Sequence, residues 1–322
     1  MEPLLCIVGP TASGKTALSV ALAKELDGEI VSADSMQLYR GMDIGTAKAT
    51  EEERQGIPHH MLDILDPGES YSAAQYAEDA RRCVEDIRSR GKVPIVAGGT
   101  GLYLNALLGR VRFEEENRDE AYRRALEAEA AVVGGAVLLQ RLRTVDPETA
   151  ARLHENDVRR IIRALESYHA TGEPLSAVNA RTRVLPLNYN PCIIGIAPEK
   201  REVLYSRIDR RVNEMVRDGL IEEARALFAR PVLSDTARQA IGYKELLPYL
   251  GGEAALEPCV EQLKQNTRRY AKRQLTWFRG DALVHWFLYD ENVNFRLILQ
   301  NSRDLFRQYA IIESSDTSEA NS

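Results

Sequence analysis

Nowhere in the 322 residues do two cysteines stand close together: Cys6, Cys83, Cys192 and Cys259 are scattered, with no C-x-x-C pair. The sequence therefore offers neither a zinc-ribbon spacing nor a disulfide framework, and reduced thiols in a cytoplasmic protein are expected. Histidine is also scarce, with five residues in all. The adjacent pair His59-His60 invites a metal reading, but no further His, Cys or suitably spaced carboxylate completes a ligand set, so a structural role is expected. Long apolar runs are missing too. The longest nearly apolar stretch, Ala130 to Leu139, is too short to cross a bilayer, and the N-terminus enters a strand-like run without a basic leader. No membrane partner is expected. Nor is there an excess of positive charge: 42 Lys+Arg face 48 Asp+Glu, so any nucleic-acid contact must come from local clusters.

What the chain does have is 44% hydrophobic residues, enough for a real core, and a length that allows two domains or one domain with a large insertion. Its most specific stretch is Gly9-Pro10-Thr11-Ala12-Ser13-Gly14-Lys15-Thr16, preceded by the apolar run Leu4 to Val8 and followed by the helix-forming segment Ala17 to Leu26. This is the G-x-x-x-x-G-K-S/T pattern in its required setting of strand, glycine loop and helix. Glycines let backbone N–H groups curl around phosphate oxygens, Lys15 adds a charge, Thr16 offers a hydroxyl to Mg²⁺, and the helix start adds partial positive charge. A phosphate-bearing ligand is implied, though the loop alone does not say whether a nucleotide carries it.

A second strand, Gly28 to Asp34, would bring Asp34 near that loop, because strand C-termini line the ligand crevice of an open parallel sheet. Asp34 to Lys48 lacks periodicity and reads as a site loop, and His59 to Ile64 reads as a third strand. After the amphipathic helix Tyr71 to Arg90, the strand Lys92 to Ala97 delivers Gly98-Gly99-Thr100-Gly101 to the same edge as a ligand-contact loop. From Phe113, through Glu114-Glu115-Glu116, to about His169 the pattern is wholly helical, and Cys192 to Ala197 returns to a buried strand. The expected fold is α/β, a P-loop NTPase-like parallel sheet flanked by helices, with an all-helical inserted domain. Its divisions are residues 1–112, the insertion 113–190, the resumed core with basic C-terminal helices 191–312, and a disordered tail 313–322.

Two segments concentrate positive charge. Lys200 to Arg217 includes Arg207 and Arg211, and Lys264 to Arg279 contains no acid while Tyr270, Trp277 and Phe278 lie among its cations. Such a helix in a net-acidic protein points to nucleic acid or polyphosphate. A helix over Asp157 to Glu166 puts Arg159 and Arg163 on one face, with Arg160 beside them.

Six blocks in order, Gly9–Thr16, Asp34–Lys48, Gly98–Tyr103, Asn156–Glu166, Arg238–Tyr243 and Lys272–Arg279, resemble the bacterial tRNA dimethylallyltransferase (IPP transferase) family. The likeness covers nearly the whole chain to about Trp286, and the second block is the most specific. His154-Glu155-Asn156-Asp157 departs from the family's commoner His-Pro-Asn-Asp, which affects only a turn. The resemblance implies transfer of a dimethylallyl group from dimethylallyl diphosphate to the exocyclic amine of the adenosine just 3′ of a tRNA anticodon. It implies that Lys15, the Ser13–Thr16 backbone and Mg²⁺ on Thr16 hold the diphosphate, joined by one or both of Arg207 and Arg211. Asp34 would be the general base, and Thr100 would bond the leaving group. The anticodon stem-loop would meet Asp34, Ser35, Met36, Gln37 and Thr100 in the crevice, and Arg123 with Arg159, Arg160, Ile161, Ile162 and Arg163 in the insertion. Arg238, Gln239 and Tyr243, then Lys272, Arg273, Gln274, Trp277 and Arg279, would complete the grip. A monomer is expected. The competing readings are a P-loop small-molecule kinase or NTPase binding ATP, an RNA-binding module without covalent chemistry, and a prenyltransferase acting on free AMP.

Overall fold

The structure is a computed structural model that describes residues 1–111, 119–183, 187–291 and 293–319; the expected opening of the insertion at Glu114-Glu115-Glu116 lies outside them. Six strands form one sheet: β1 (Pro3–Val8), β2 (Gly28–Ser32), β3 (His59–His60), β4 (Val93–Gly98), β5 (Asn190–Pro198) and β6 (Val284–Tyr289). Their order is β3-β2-β4-β1-β5-β6, and every pairing is parallel. A parallel sheet is covered on both faces, which is why β1 is continuously apolar. Its alternate residues serve two cores: Leu4, Cys6 and Val8 join one, Leu5 and Ile7 the other. The four cysteines are free, three of them buried.

Two compact units result, one of Met1–Leu108 with Asn188–Ser322 and one of Gly109–Leu187. The helical unit is thus shifted from the expected 113–190, because Asn190 pairs with Pro3 and opens β5. The helical unit buries Leu126, Leu138, Leu142, Ile161 and Leu165 as its own core. Asp146, fully buried, caps the helix Pro147–Ala151 through Thr149 N–H at 3.0 Å and accepts from Ser176 N–H at 2.9 Å.

Two other expectations are corrected, and one strand is added. β3 ends at His60 because Met61 and Asp63 adopt left-handed backbone, φ 60° and 56°. β6 was not singled out within the resumed core, although Val284-His285-Trp286-Phe287-Leu288-Tyr289 is rich in β-branched and aromatic residues. Of the tail expected to be disordered over 313–322, the part from Glu313 to Glu319 belongs to the helix Phe295–Glu319, and the rest lies outside the described residues. The histidine pair has structural partners: His59 Nδ1 lies 2.8 Å from the Ile57 carbonyl and His60 Nε2 2.7 Å from Glu29.

Candidate active site

The ends of β1, β2 and β4 meet at one edge of the sheet. β1 runs into the glycine loop, whose first residue has φ 148° and leaves no room for a side chain: a Cβ on Gly9 would lie 2.3 Å from the Ile196 carbonyl oxygen. Ala12 and Gly14 are also left-handed, at φ 62° and 93°. The loop's carbonyls are held by side chains. Lys15 Nζ donates to Pro10 O at 2.7 Å, Arg207 Nε to Ala12 O at 2.8 Å, and the Tyr289 hydroxyl to Ser13 O at 3.0 Å. The helix Lys15–Leu26 starts here, and its first N–H groups have no intrahelical acceptor. The Ser13 hydroxyl is buried without a hydrogen-bond partner among the described residues. Bound carbonyls, first-turn N–H groups and a buried hydroxyl make the loop a receptor for phosphate oxygens.

Gly98 lets β2 and β4 close at their ends, since a Cβ there would fall 2.2 Å from Ala33 O. Thr100 N–H then donates to Ala33 O at 3.0 Å, and Thr100 Oγ1 accepts from Ser35 N–H at 3.1 Å. Asp34 folds back on its own turn, Oδ1 accepting from Met36 N–H at 3.0 Å. Burial raises the Asp34 pKa against the pull of that bond and of the Lys15 charge. Burial likewise pushes the Lys15 ammonium down to about 8, with Asp34 opposing the shift and Arg211 adding to it. Arg211 is itself depressed by burial. Asp34 and Arg211 are therefore each within electrostatic reach of Lys15. Arg207 is committed to the loop carbonyl and lies 5.7 Å above the Tyr289 ring, so of the two candidate arginines it is the one that shapes the loop.

Other expected site residues divide by orientation. Lys272, Arg273, Trp277 and Arg279 are exposed on the helix Leu256–Arg279, and Arg238 and Gln239 are exposed beside a short turn of helix. In the helical unit Arg159, Arg160 and Arg163 are exposed and form no ion pair among the described residues, whereas Arg123 pairs with Glu127 at 3.1 Å and Glu166 at 3.8 Å. Ile161 and Ile162 are corrected from RNA contacts to core, 0% and 2% exposed, because they lie on the helix face opposite the arginines. Tyr243 is likewise fully buried, its hydroxyl donating to Glu223 at 2.6 Å. Gln274 is turned inward as well. The Gln37 amide is engaged within its own loop, donating to Thr46 O at 3.3 Å and Ala47 O at 3.4 Å.

Glu223 was not apparent from the sequence. Its carboxylate accepts N–H groups from Asp43, Ile44 and Gly45, each at 2.9 Å, besides the Tyr243 hydroxyl. It thereby anchors the far end of the Asp34–Lys48 loop, and Gly45 is required because a Cβ would meet the Tyr243 ring at 2.5 Å. Only an acid opposite an anion-binding arrangement of successive N–H groups does this, and no local motif signals one. Glu223→Ala is expected to lower stability by about 1–3 kcal/mol through the unpaired groups it leaves. Denaturant unfolding measures it, with Glu222→Ala on the exposed neighbour as the control.

A phosphate-cradling loop at the edge of a parallel sheet, with the partly buried Asp34 beside it, defines a P-loop α/β protein with a site shaped for phosphate. Among the described residues no helix is long and apolar enough to cross a membrane. The family described as IPP transferase matches residues 37–281. A tRNA dimethylallyltransferase of Geobacillus thermodenitrificans is 54% identical over 286 residues, 89% of this chain and 90% of the relative. One from a Thermoanaerobacter species is 46% identical over 300 residues, 92% of this chain and 95% of the relative. The solved full-length tRNA isopentenylpyrophosphate transferase of Bacillus halodurans is similar at TM-score 0.73 and 45% identity, covering 98% of this chain and 100% of that one. A eukaryotic dimethylallyltransferase acting on tRNA is similar at TM-score 0.76 and 31% identity, covering 99% and 80%. The chain belongs to the IPP transferase family, and is accordingly a prenyl-transferring enzyme.

Proposed function

We propose that this enzyme transfers the dimethylallyl group of dimethylallyl diphosphate to the exocyclic amine of the adenosine just 3′ of a tRNA anticodon. The observation that carries this reading is a phosphate loop whose Lys15 lies within electrostatic reach of Asp34, with Thr100 bonded to Ser35, the neighbour of Asp34. In the reaction the allylic C–O bond breaks, its electron pair leaving with diphosphate, while the amine nitrogen forms a bond to the same carbon and loses a proton. Negative charge builds on the leaving group, so fixed cations and N–H donors lower the barrier; Lys15, Arg211 and the start of the Lys15–Leu26 helix supply them. The amine lone pair is delocalised into the purine, so it attacks well only as a base removes its proton. Asp34, with its raised pKa, is that base. The Thr100 hydroxyl accepts from Ser35 N–H and keeps its own proton to donate to the leaving oxygen.

Mg²⁺ fits this site as a partner of the diphosphate. Thr16 offers one hydroxyl, no cluster of three or more His, Cys, Asp or Glu suited to a metal occurs among the described residues, and Mg²⁺ ordinarily takes phosphate oxygens and water with one or two protein ligands. When bound it would neutralise charge on the diphosphate. The target base must leave the anticodon-loop stack, which is easier from a single-stranded loop than from a duplex. The exposed Arg159, Arg160, Arg163, Lys272, Arg273 and Arg279 would hold the loop's phosphates, with Trp277 available for stacking.

Two measurements test this. Incubation with Mg²⁺, dimethylallyl diphosphate and unmodified tRNA, followed by digestion to nucleosides, yields dimethylallyl adenosine; recovery of unmodified adenosine alone contradicts the proposal. RNA affinity should fall with salt with a log–log slope of about −4 if six cations meet phosphates of a single-stranded loop. A flat response contradicts the basic surfaces as the docking site. Free AMP as acceptor would make no use of those surfaces.

A further inference from the structure

One residue of the basic helix does not behave like its neighbours. Lys272, Arg273 and Trp277 are exposed, whereas Gln274 is 5% exposed and points into the site edge. Its Oε1 accepts from Thr11 N–H at 2.8 Å, and its Nε2 donates to Gly99 O at 3.1 Å. An N–H needs an acceptor and a carbonyl needs a donor, so only one orientation of the amide satisfies both. Gly99 has no side chain to block this approach, since a Cβ there would lie 2.0 Å from Nε2.

We propose that Gln274 is a positioning residue for the donor rather than an RNA contact. It ties the first half of the phosphate loop to the end of β4, and so sets Lys15 against Thr100. This rests on the loop being the diphosphate site. The Thr11 N–H is turned outward onto Gln274. The Pro10, Ala12 and Ser13 carbonyls are held by Lys15, Arg207 and Tyr289, while the first N–H groups of the helix that follows have no intrahelical acceptor. Arg207 and Tyr289 hold the loop from one side. Gln274 links it to the strand end where Thr100 accepts from Ser35, the neighbour of Asp34. One amide thus connects the leaving-group loop, the Thr100 hydroxyl and the base. Tyr270, one helical turn earlier, shares this face: burial raises its pKa, with Asp34 adding to the shift and Thr100 and Gln274 acting as hydrogen-bonding neighbours.

The test compares full-length Gln274→Met, which keeps the volume without the polar ends, and Gln274→Asn, which is too short to reach both partners. Inorganic pyrophosphate affinity is measured by titration calorimetry with Mg²⁺, alongside anticodon stem-loop affinity, donor KM and thermal midpoint. The control is Leu263→Ala, a buried residue of the same helix remote from the phosphate loop in sequence. Both Gln274 variants are expected to bind pyrophosphate about tenfold more weakly, with donor KM rising in step. Their RNA affinity should stay within about twofold of the parent. Leu263→Ala should lose thermal stability and keep its pyrophosphate affinity. Unchanged pyrophosphate binding in either folded Gln274 variant overturns the proposal, as does loss of RNA affinity in its place. So does loss of pyrophosphate affinity in Leu263→Ala in proportion to its stability. If the parent protein binds no pyrophosphate, the donor-site reading fails and this one with it; if the parent binds and the Gln274 variants match it, only this one fails.

Discussion

Replacing Asp34 by Asn is expected to leave pyrophosphate and RNA affinity near the parent values while cutting single-turnover transfer by about 10²–10⁴-fold. The substitution is nearly isosteric, and an Asn side-chain oxygen can still accept from Met36 N–H as Asp34 Oδ1 does at 3.0 Å, so the turn survives. What is lost is a proton acceptor at the moment the amine nitrogen acquires charge. Desolvation raises the Asp34 pKa, which makes the carboxylate a stronger base, and the nearby Lys15 charge limits that rise. The rate of the parent enzyme should therefore increase with pH through the raised Asp34 pKa, and this acid limb should be missing from the Asn variant. A variant with near-parent single-turnover rate would remove Asp34 from the role of base.

Lys15→Ala is the second large effect, an expected loss of about 10²–10³-fold in turnover, because the charge that meets the leaving diphosphate is gone. Its pH dependence has the opposite sign to that of Asp34. Burial pushes Lys15 down to about 8, so the free enzyme carries the ammonium below that pH and loses it above. Donor affinity should fall as pH rises through about 8, with a proton taken up on binding in that range. Calorimetry in buffers of different ionisation enthalpy reads the proton directly. Pyrophosphate binding that is flat from neutral pH to well above 8 would mean that Lys15 does not meet the diphosphate.

Much of this site was legible in the sequence because its chemistry is local. The glycine loop is defined by contiguous residues, and Asp34 and Thr100 follow apolar runs whose parallel pairing sends their ends to one edge. Orientation on a helix was less legible. Gln274 stands between Arg273 and Leu275 in a basic stretch, and its long-range bonds to Thr11 and Gly99 determine that it faces inward. Ile161 and Ile162 lie between arginines in sequence but on the apolar side of their helix, where the helical unit needs them. Glu223 and Tyr289 were beyond reach for another reason. Each acts on backbone groups far away in the chain, Glu223 on Asp43 to Gly45 and Tyr289 on Ser13, and a backbone N–H or carbonyl has no residue signature. β6, which carries Tyr289, was obscured by the basic helix that ends at Arg279, just before it.

On the proposed function this phosphate loop serves an allylic diphosphate rather than a nucleotide. The most direct measurement follows label from dimethylallyl diphosphate into unmodified tRNA in the presence of Mg²⁺, with ATP hydrolysis recorded in parallel on the same enzyme. Under this reading label is expected in the RNA, none when the adenosine beside the anticodon is replaced, and no RNA-independent ATP turnover. Steady ATP hydrolysis with unlabelled RNA would contradict it.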